Sequence, residues 1–420
     1  MYVNAPWFDS LEILVVYSIT SVSSQSWFSR AKGALFGVVI GIMMIPGSVF
    51  MLGWNEYRTI HRTQGLKQGA ELVASLDQVD SIDESMDSQL VHLTGLAETN
   101  DQLKDEDFQI DEQAIKLRRS VEMFQWIEEK TSRQNKKIGG RKETVDTYTY
   151  GTQWSADRED SSKFEESGSH FNPPEKYPAV TQSATHVTVG AFSLGQTLIA
   201  QIDSFEPIVW DQDRIEKLDP EFQDHVLLDG ELIYWSAEGK PSLDEPIVGD
   251  QRIMFEWVKP TSVSVVAKQA GEKLTGFKVS NGEKIEKLYV GELTADEMFD
   301  KIQQENMALA WVIRIAGFGM SCLGFYLVMA PLAVLADIVP FIGSLTRSLT
   351  MIIAGLMGVC LSACTVAFAW IAVRPLIGIP MLILAIGCVV MLVRIISSRG
   401  KAGTPETDSE FAFDPSGKGN

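Results

Sequence analysis

Four stretches of the chain lack charge, and they set its plan. The first runs from Gly33 to Asn55, 23 residues without a charged side chain. Crossing about 30 Å of hydrocarbon takes roughly 20 helical residues, and a soluble core helix rarely runs that long uncharged. Arg30 and Lys32 precede the run, and Trp54 and Tyr57 close it, as interfacial anchors do. Residues 315–336 are uncharged between Arg314 and Asp337, 348–373 between Arg347 and Arg374, and 375–393 between Arg374 and Arg394. We read four α-helical spans, over residues 33–55, 308–336, 348–373 and 375–396. Only Arg374 separates the last two, so the chain is expected to reverse within "AVRPLIGIP", where Pro375, Gly378 and Pro380 disfavour helix. A re-entrant segment is the alternative.

The polar segment between the first two spans, residues 56–307, changes period along its length. "EYRTIHRTQGLKQGAELVASL" continues the first helix, with Gly65 and Gly69 weakening it. Strand signals follow in "QLVHLTGLAE", "AIKLRRSVEMFQWIEE" and "TVDTYTYGTQW", all rich in β-branched and aromatic residues. In the second, Ile115, Leu117, Val121, Met123 and Ile127 fall on one face, with Arg119 and Gln125 as exceptions. "SADREDSSKFEESGSHFNPPEKYP" reads as a polar loop, and "GAFSLGQTLIAQIDSF" is spaced as a helix. "HVLLDGELIYW" resembles "LVHLTGLAE": Val91, Leu93 and Gly95 correspond to Val226, Leu228 and Gly230 at an offset of 135. Ile110, Gln113, Ile115 and Leu117 correspond to Val248, Gln251, Ile253 and Phe255 at an offset of 138. The domain therefore reads as two related β-rich halves, about residues 85–135 and 220–270, or as two hairpins alike in turn chemistry alone. Thr294 and Glu297 form a capping box, and the helix it starts can run straight into the second span.

Charge sharpens this division. Residues 56–307 hold 48 Asp and Glu against 27 Lys and Arg, a net charge of −21, and the rest of the chain carries +2. An acidic domain of this size can bury a sizeable core, but it does not bind nucleic acid through a basic face. Cys322, Cys360, Cys364 and Cys388 all lie in the apolar runs, so the polar domain has neither a disulfide framework nor a cysteine zinc site. Residues 1–32 read as a loosely ordered tail. Their apolar stretch is short, follows Asp9 and has no basic residue before Arg30, unlike a signal peptide. Residues 397–420 form a polar C-terminal tail. The expected fold is a membrane protein with one N-terminal and three C-terminal spans, and a large α+β, strand-rich domain inserted between the first and second.

From Trp54 onward the chain resembles the transmembrane protein 43 (LUMA) family. Trp54, Asn55, Glu56 and Arg58 sit as at that family's first-helix exit, although Tyr57 stands where the family usually has glycine. "LVHLTG", "IKLRRSVEMFQWIEE", "TYTYGTQW", "FNPP", "GELTADEMF" and "PLAVLADIVPFIGSL" follow in order, and Trp370, Arg374, Pro375 and Leu376 complete the set. The resemblance covers about residues 27–397. It implies four spans with the large domain on the lumenal or extracytoplasmic side, and a role in organising membrane-protein complexes. It also implies a bacterial inner membrane or, in a eukaryote, the endoplasmic reticulum and inner nuclear membrane. The chain's basic residues do not orient it, six lying on each side of the expected bilayer. The absence of an Asn-x-Ser/Thr sequon favours a bacterial source.

Catalytic signals are scarce. There is no phosphate loop, no HExxH and no G-x-S-x-G, and His61, His92, His170, His186 and His225 have no ligand spacing. We expect no catalytic, cofactor or metal site. Gly33, Gly37 and Gly41 form two overlapping GxxxG units, a face for close helix approach to the chain's own spans or to a second copy. Asn55, Glu56, Arg58, Arg314, Asp337 and Arg374 form a collar at the ends of the runs. Such charges are functional by default at bilayer depth, but at run edges they can snorkel as anchors. The expected function is a non-enzymatic membrane scaffold whose partners are the bilayer and other membrane proteins, homo-oligomers included, and not nucleic acid. A transporter or channel component, or a lipid-responsive sensor, is the alternative.

Overall fold

The structure, a computed structural model, describes residues 14–137, 141–336, 340–371 and 375–400. It divides into two compact units. The first gathers Thr59–Lys136 and Lys142–Ala308 with the N-terminal segment ending at Gln25. The second gathers Ser26–Arg58 and the chain from Leu309 onward.

The first unit is built on two sheets. Its principal strands are β1 (Leu14–Gln25), β2 (Leu90–Glu98), β3 (Lys116–Lys136), β4 (Lys142–Ser155), β5 (Val226–Asp229), β6 (Leu232–Trp235), β7 (Gln251–Val258), β8 (Thr261–Ala270) and β9 (Lys287–Val290). The eight-stranded sheet is antiparallel in the order β1-β4-β3-β7-β6-β5, with Val180–Ser183 added to β3 and Glu206–Pro207 to β7. In the seven-stranded sheet, β8 pairs with β2 on one side, and with β9 and Lys273–Thr275 on the other. The path returns to β2 through Phe192–Leu194 and Thr188–Val189, so this sheet closes on itself and loses most of its open edge.

Alternation along each strand fills separate cores. Val91, Leu93, Phe192, Leu198, Val263 and Val265 meet inside the closed sheet. Phe108, Leu117, Val121, Ile233, Ile253 and Phe255 pack under the open one. β8 is buried on both faces, because Val266 turns the other way, onto Leu66, Met298, Phe299 and Ile302. Helical segments therefore cover the second face of the closed sheet.

Several expectations change here. Arg119 and Gln125, the exceptions on the apolar face of β3, are themselves buried. Arg119 donates to Asp105 and Asp107, each at 2.9 Å, and to the Pro178 carbonyl at 3.0 Å. Gln125 donates to the Asp157 carbonyl at 2.6 Å and accepts from the Glu159 N–H at 2.9 Å. They tie loops to the sheet rather than interrupting it. Within the tail expected over residues 1–32, residues 1–13 lie outside the described residues, and Leu14–Gln25 form β1, which pairs with β4 in eleven registered positions. Its β-branched run, Val15, Val16, Ile19, Thr20 and Val22, favours strand. "GAFSLGQTLIAQIDSF" is a short strand, Phe192–Leu194, followed by one helical turn, Gln196–Ile199. The segments matched at an offset of 135 occupy different places, β2 inside the closed sheet and β5 at the end of the open one. The capping box forms, with the Glu297 N–H on Thr294 Oγ1 at 3.3 Å and the Thr294 N–H on Glu297 Oε2 at 2.8 Å.

The long helices are α1 (Trp27–Leu72), α2 (Ala295–Ala336), α3 (Pro340–Ile371) and α4 (Pro375–Gly400). Three helical segments among the described residues are long and apolar enough to cross a membrane: α1, α2 and Thr346–Ile371 of α3. In α4 the apolar stretch is the shorter Leu382–Met391. α3 begins at Pro340 rather than after Arg347, because proline suits a first helical position and an arginine does not end a helix. Gly378 and Pro380 lie inside the opening turns of α4.

Candidate functional site

Glu56 is fully buried inside the helical unit. An isolated carboxylate there would be prohibitively costly. Arg314 of α2 answers it through two donors, Nε to Oε1 at 2.6 Å and Nη2 to Oε2 at 2.9 Å. The indole N–H of Trp370 in α3 donates to the same Oε2. This fork geometry is the strong form of the arginine–carboxylate bond. The guanidinium also lies 5.0 Å from the Trp311 ring and 5.8 Å from that of Trp370, so aromatic faces share its charge. One carboxylate thus joins three helices.

Helix periodicity explains the assembly. Trp311 and Arg314 are three residues apart and share a face of α2. One residue before Glu56, Asn55 donates its side-chain amide to the Ala310 carbonyl at 3.1 Å, and among the described residues its buried Oδ1 has no hydrogen-bond partner. Beside Arg314 opens a cavity of about 290 Å³, walled by Leu52, Ile315, Phe318, Val359 and Val366. Ser362 is its small polar contribution.

The glycine face lies on the same helix. A Cβ at Gly41 would stand 2.6 Å from the Gly324 carbonyl oxygen and 3.1 Å from Leu327 Cβ, so α1 and α2 touch backbone to backbone there. A Cβ at Gly37 would make ordinary contact with Leu327 at 3.5 Å, and one at Gly33 would meet nothing within 4 Å. Farther along α2, Cys322 Sγ reaches the Gly355 carbonyl of α3 at 3.7 Å, and a Cβ at Gly358 would lie 2.9 Å from Cys322 Cα.

Of the six collar residues, the structure joins Glu56 to Arg314 and places Asn55 against α2. Arg58 is half-buried on α1. Asp337 and Arg374 lie outside the described residues. The sequence reading missed Trp311 and Trp370 as members of the site. The signal available for them was the i,i+3 spacing of Trp311 to Arg314, and a tryptophan N–H inside an apolar run that needs an acceptor. Among the described residues no three His, Cys, Asp or Glu side chains are grouped to hold a metal ion.

The family model described as "Transmembrane protein 43" matches residues 123–375, well over half of the chain. The chain belongs to the transmembrane protein 43 family. Transmembrane protein 43 of Rattus norvegicus is 29% identical over 402 residues, covering 93% of this chain and 96% of that protein. The Homo sapiens protein is 28% identical over 370 residues, with 85% and 90% covered. The Drosophila melanogaster homolog is 28% identical over 363 residues, with 84% and 92% covered. No solved structure matches the chain. The family match contains Trp311, Arg314 and Trp370 and begins after Glu56, so the acid of the cluster lies outside the matched region and its answering groups lie within it.

Proposed function

We propose that this member of the transmembrane protein 43 family is a non-enzymatic integral membrane scaffold that organises membrane-protein complexes. The observation that carries the reading is the use made of Glu56. Both its oxygens are taken by donors from α2 and α3. An acid committed to holding three helices together is unsuited to passing protons or binding a transported ion. α4 serves as the fourth span, the acidic domain is a binding module outside the cytoplasm, and the partners are other membrane proteins, a second copy included. The host membrane is the bacterial inner membrane, or the endoplasmic reticulum and inner nuclear membrane in a eukaryote.

The transport reading draws on the cavity beside Arg314, but its walls are almost wholly apolar. The test is purification of the tagged full chain in mild detergent, with co-purifying proteins identified by mass spectrometry. A defined set of membrane-protein partners is expected. Turnover in hydrolase and transferase screens, abolished by one Asp, Glu or His substitution in a folded variant, would overturn the proposal.

A further inference from the structure

The polar domain contains a cleft of about 710 Å³ that the helical cluster leaves unexplained. Its walls include three rings, Tyr177, Phe222 and Trp235, and three carboxylates, Glu106, Asp107 and Asp219. Tyr177 meets Trp235 edge-on at 5.4 Å and Phe222 at 5.8 Å, which fixes the angles among the rings. Phe222 and Trp235 are only half-buried. The acidic side is equally fixed. Glu106 and Asp107 ride the turn of the hairpin Gln102–Asp105/Ile110–Gln113. That turn is pinned by buried Phe108, whose ring meets those of Tyr177, Phe222 and Phe255, and by Gln109 in a left-handed conformation at φ 48°. Among the described residues, Lys176 is the one lysine or arginine on the wall, against three carboxylates, and beneath the rim Arg119 answers Asp107. The cleft is therefore negative, aromatic and preformed, the combination that recognises an organic cation.

Its position identifies the form in which the cation arrives. β5 ends the open sheet, and among the described residues its outer side has no strand partner. The cleft residues Phe222 and His225 immediately precede β5, and Trp235 is the registered partner of its first residue, Val226. An extended segment adding to β5 would lay a side chain at the mouth of the cleft. Arginine suits the site better than lysine, because a planar guanidinium stacks on rings and forks onto carboxylates. We propose that this cleft seats an arginine of an extended segment from a partner protein whose backbone pairs with β5. The assignment deepens the reading of the domain as a binding module, and rests on it.

The test uses the purified full chain in detergent and a blocked, fluorescent pentapeptide with a central arginine flanked by threonine and valine. Its twin carries citrulline, which is uncharged and nearly the same shape. The arginine peptide is expected to bind about tenfold tighter than its twin. Glu106→Gln combined with Asp219→Asn, both exposed, is expected to erase that difference without lowering the melting temperature. Trp235→Leu provides the second arm, weakening both peptides. Equal affinity for the two peptides, or a preference that survives loss of both carboxylates, would overturn the assignment. The scaffold reading would still stand if partners co-purify, so the two failures are distinguishable.

Discussion

Arg314→Leu would leave Glu56 without its fork of donors in a buried site. Removing one member of a buried pair costs about 3–5 kcal/mol, far more than an exposed anchor would, at about 0–1 kcal/mol. We expect Arg314→Leu to lower the melting temperature in detergent sharply. Glu56→Gln should do so less, because the amide oxygen still accepts from Trp370 or Arg314. The double change Glu56→Gln with Arg314→Leu should cost less than the two singles combined. Strictly additive losses would show that the pair is not coupled. The sequence revealed both charges, because each interrupts or bounds an apolar run. It did not reveal their pairing, since Glu56 and Arg314 lie 258 residues apart and distance along the chain carries no register between helices. The same limit hid Trp370, which alone reads as an interfacial anchor. Arg119 failed in the opposite sense, because a polar residue on an apolar face looks like an error until Asp105 and Asp107 are brought beside it.

At the level of elements, the periodic patterns transferred well and the close contacts did not. β2, β3, β4 and the helix after Thr294 follow from alternation, β-branching and a capping box. The glycines were legible as small residues, but not as to which of them matters. Gly65 and Gly69 leave α1 unbroken. They are small because a Cβ at Gly65 would lie 2.8 Å from Glu283 Cβ, and one at Gly69 3.0 Å from Phe299 Cε1. Gly33, Gly37 and Gly41 are equivalent in spacing and unequal in contact. Gly41→Val is therefore expected to push α1 off α2, at the cost of about 1–3 kcal/mol that overpacking brings, whereas Gly33→Val should leave stability unchanged. Thermal melting of the two variants in one detergent decides it. Equal effects, or a loss of self-association from Gly33→Val alone, would mean that the triad meets a second copy rather than α2. β6 lies between β5 and β7, so substitutions meant to probe the open edge belong on β5.

The whole molecule poses a problem that no single element shows. β1 ends at Gln25 and α1 begins at Trp27. If residues 33–55 cross a bilayer, β1 and β4 emerge on opposite sides, and a strand pair cannot form through hydrocarbon. Magnitudes decide which arrangement holds in a membrane. Leu35, Phe36, Val39, Ile40, Ile42, Met43 and Phe50 are exposed on α1. Removing them from water yields about 1.5–3 kcal/mol each, on the order of 10–20 together. The eleven pairs of β1 with β4 contribute about 0.2–1 kcal/mol each, less the entropy of ordering a terminal strand. We therefore expect α1 to insert and β1 to leave β4. The test replaces the four native cysteines by alanine and adds single cysteines at Ser18 and Ser162, read with an impermeant thiol reagent on intact cells. Ser162→Cys is expected to label from outside, and Ser18→Cys only after permeabilisation. Ser18 and Thr149 are registered partners, so Ser18→Cys with Thr149→Cys should form no disulfide in the inserted protein. Labelling of both sites from one side, together with that disulfide, would show that β1 stays in the sheet and that α1 does not cross. Labelling of Ser18→Cys alone from outside would keep the crossing and reverse the orientation.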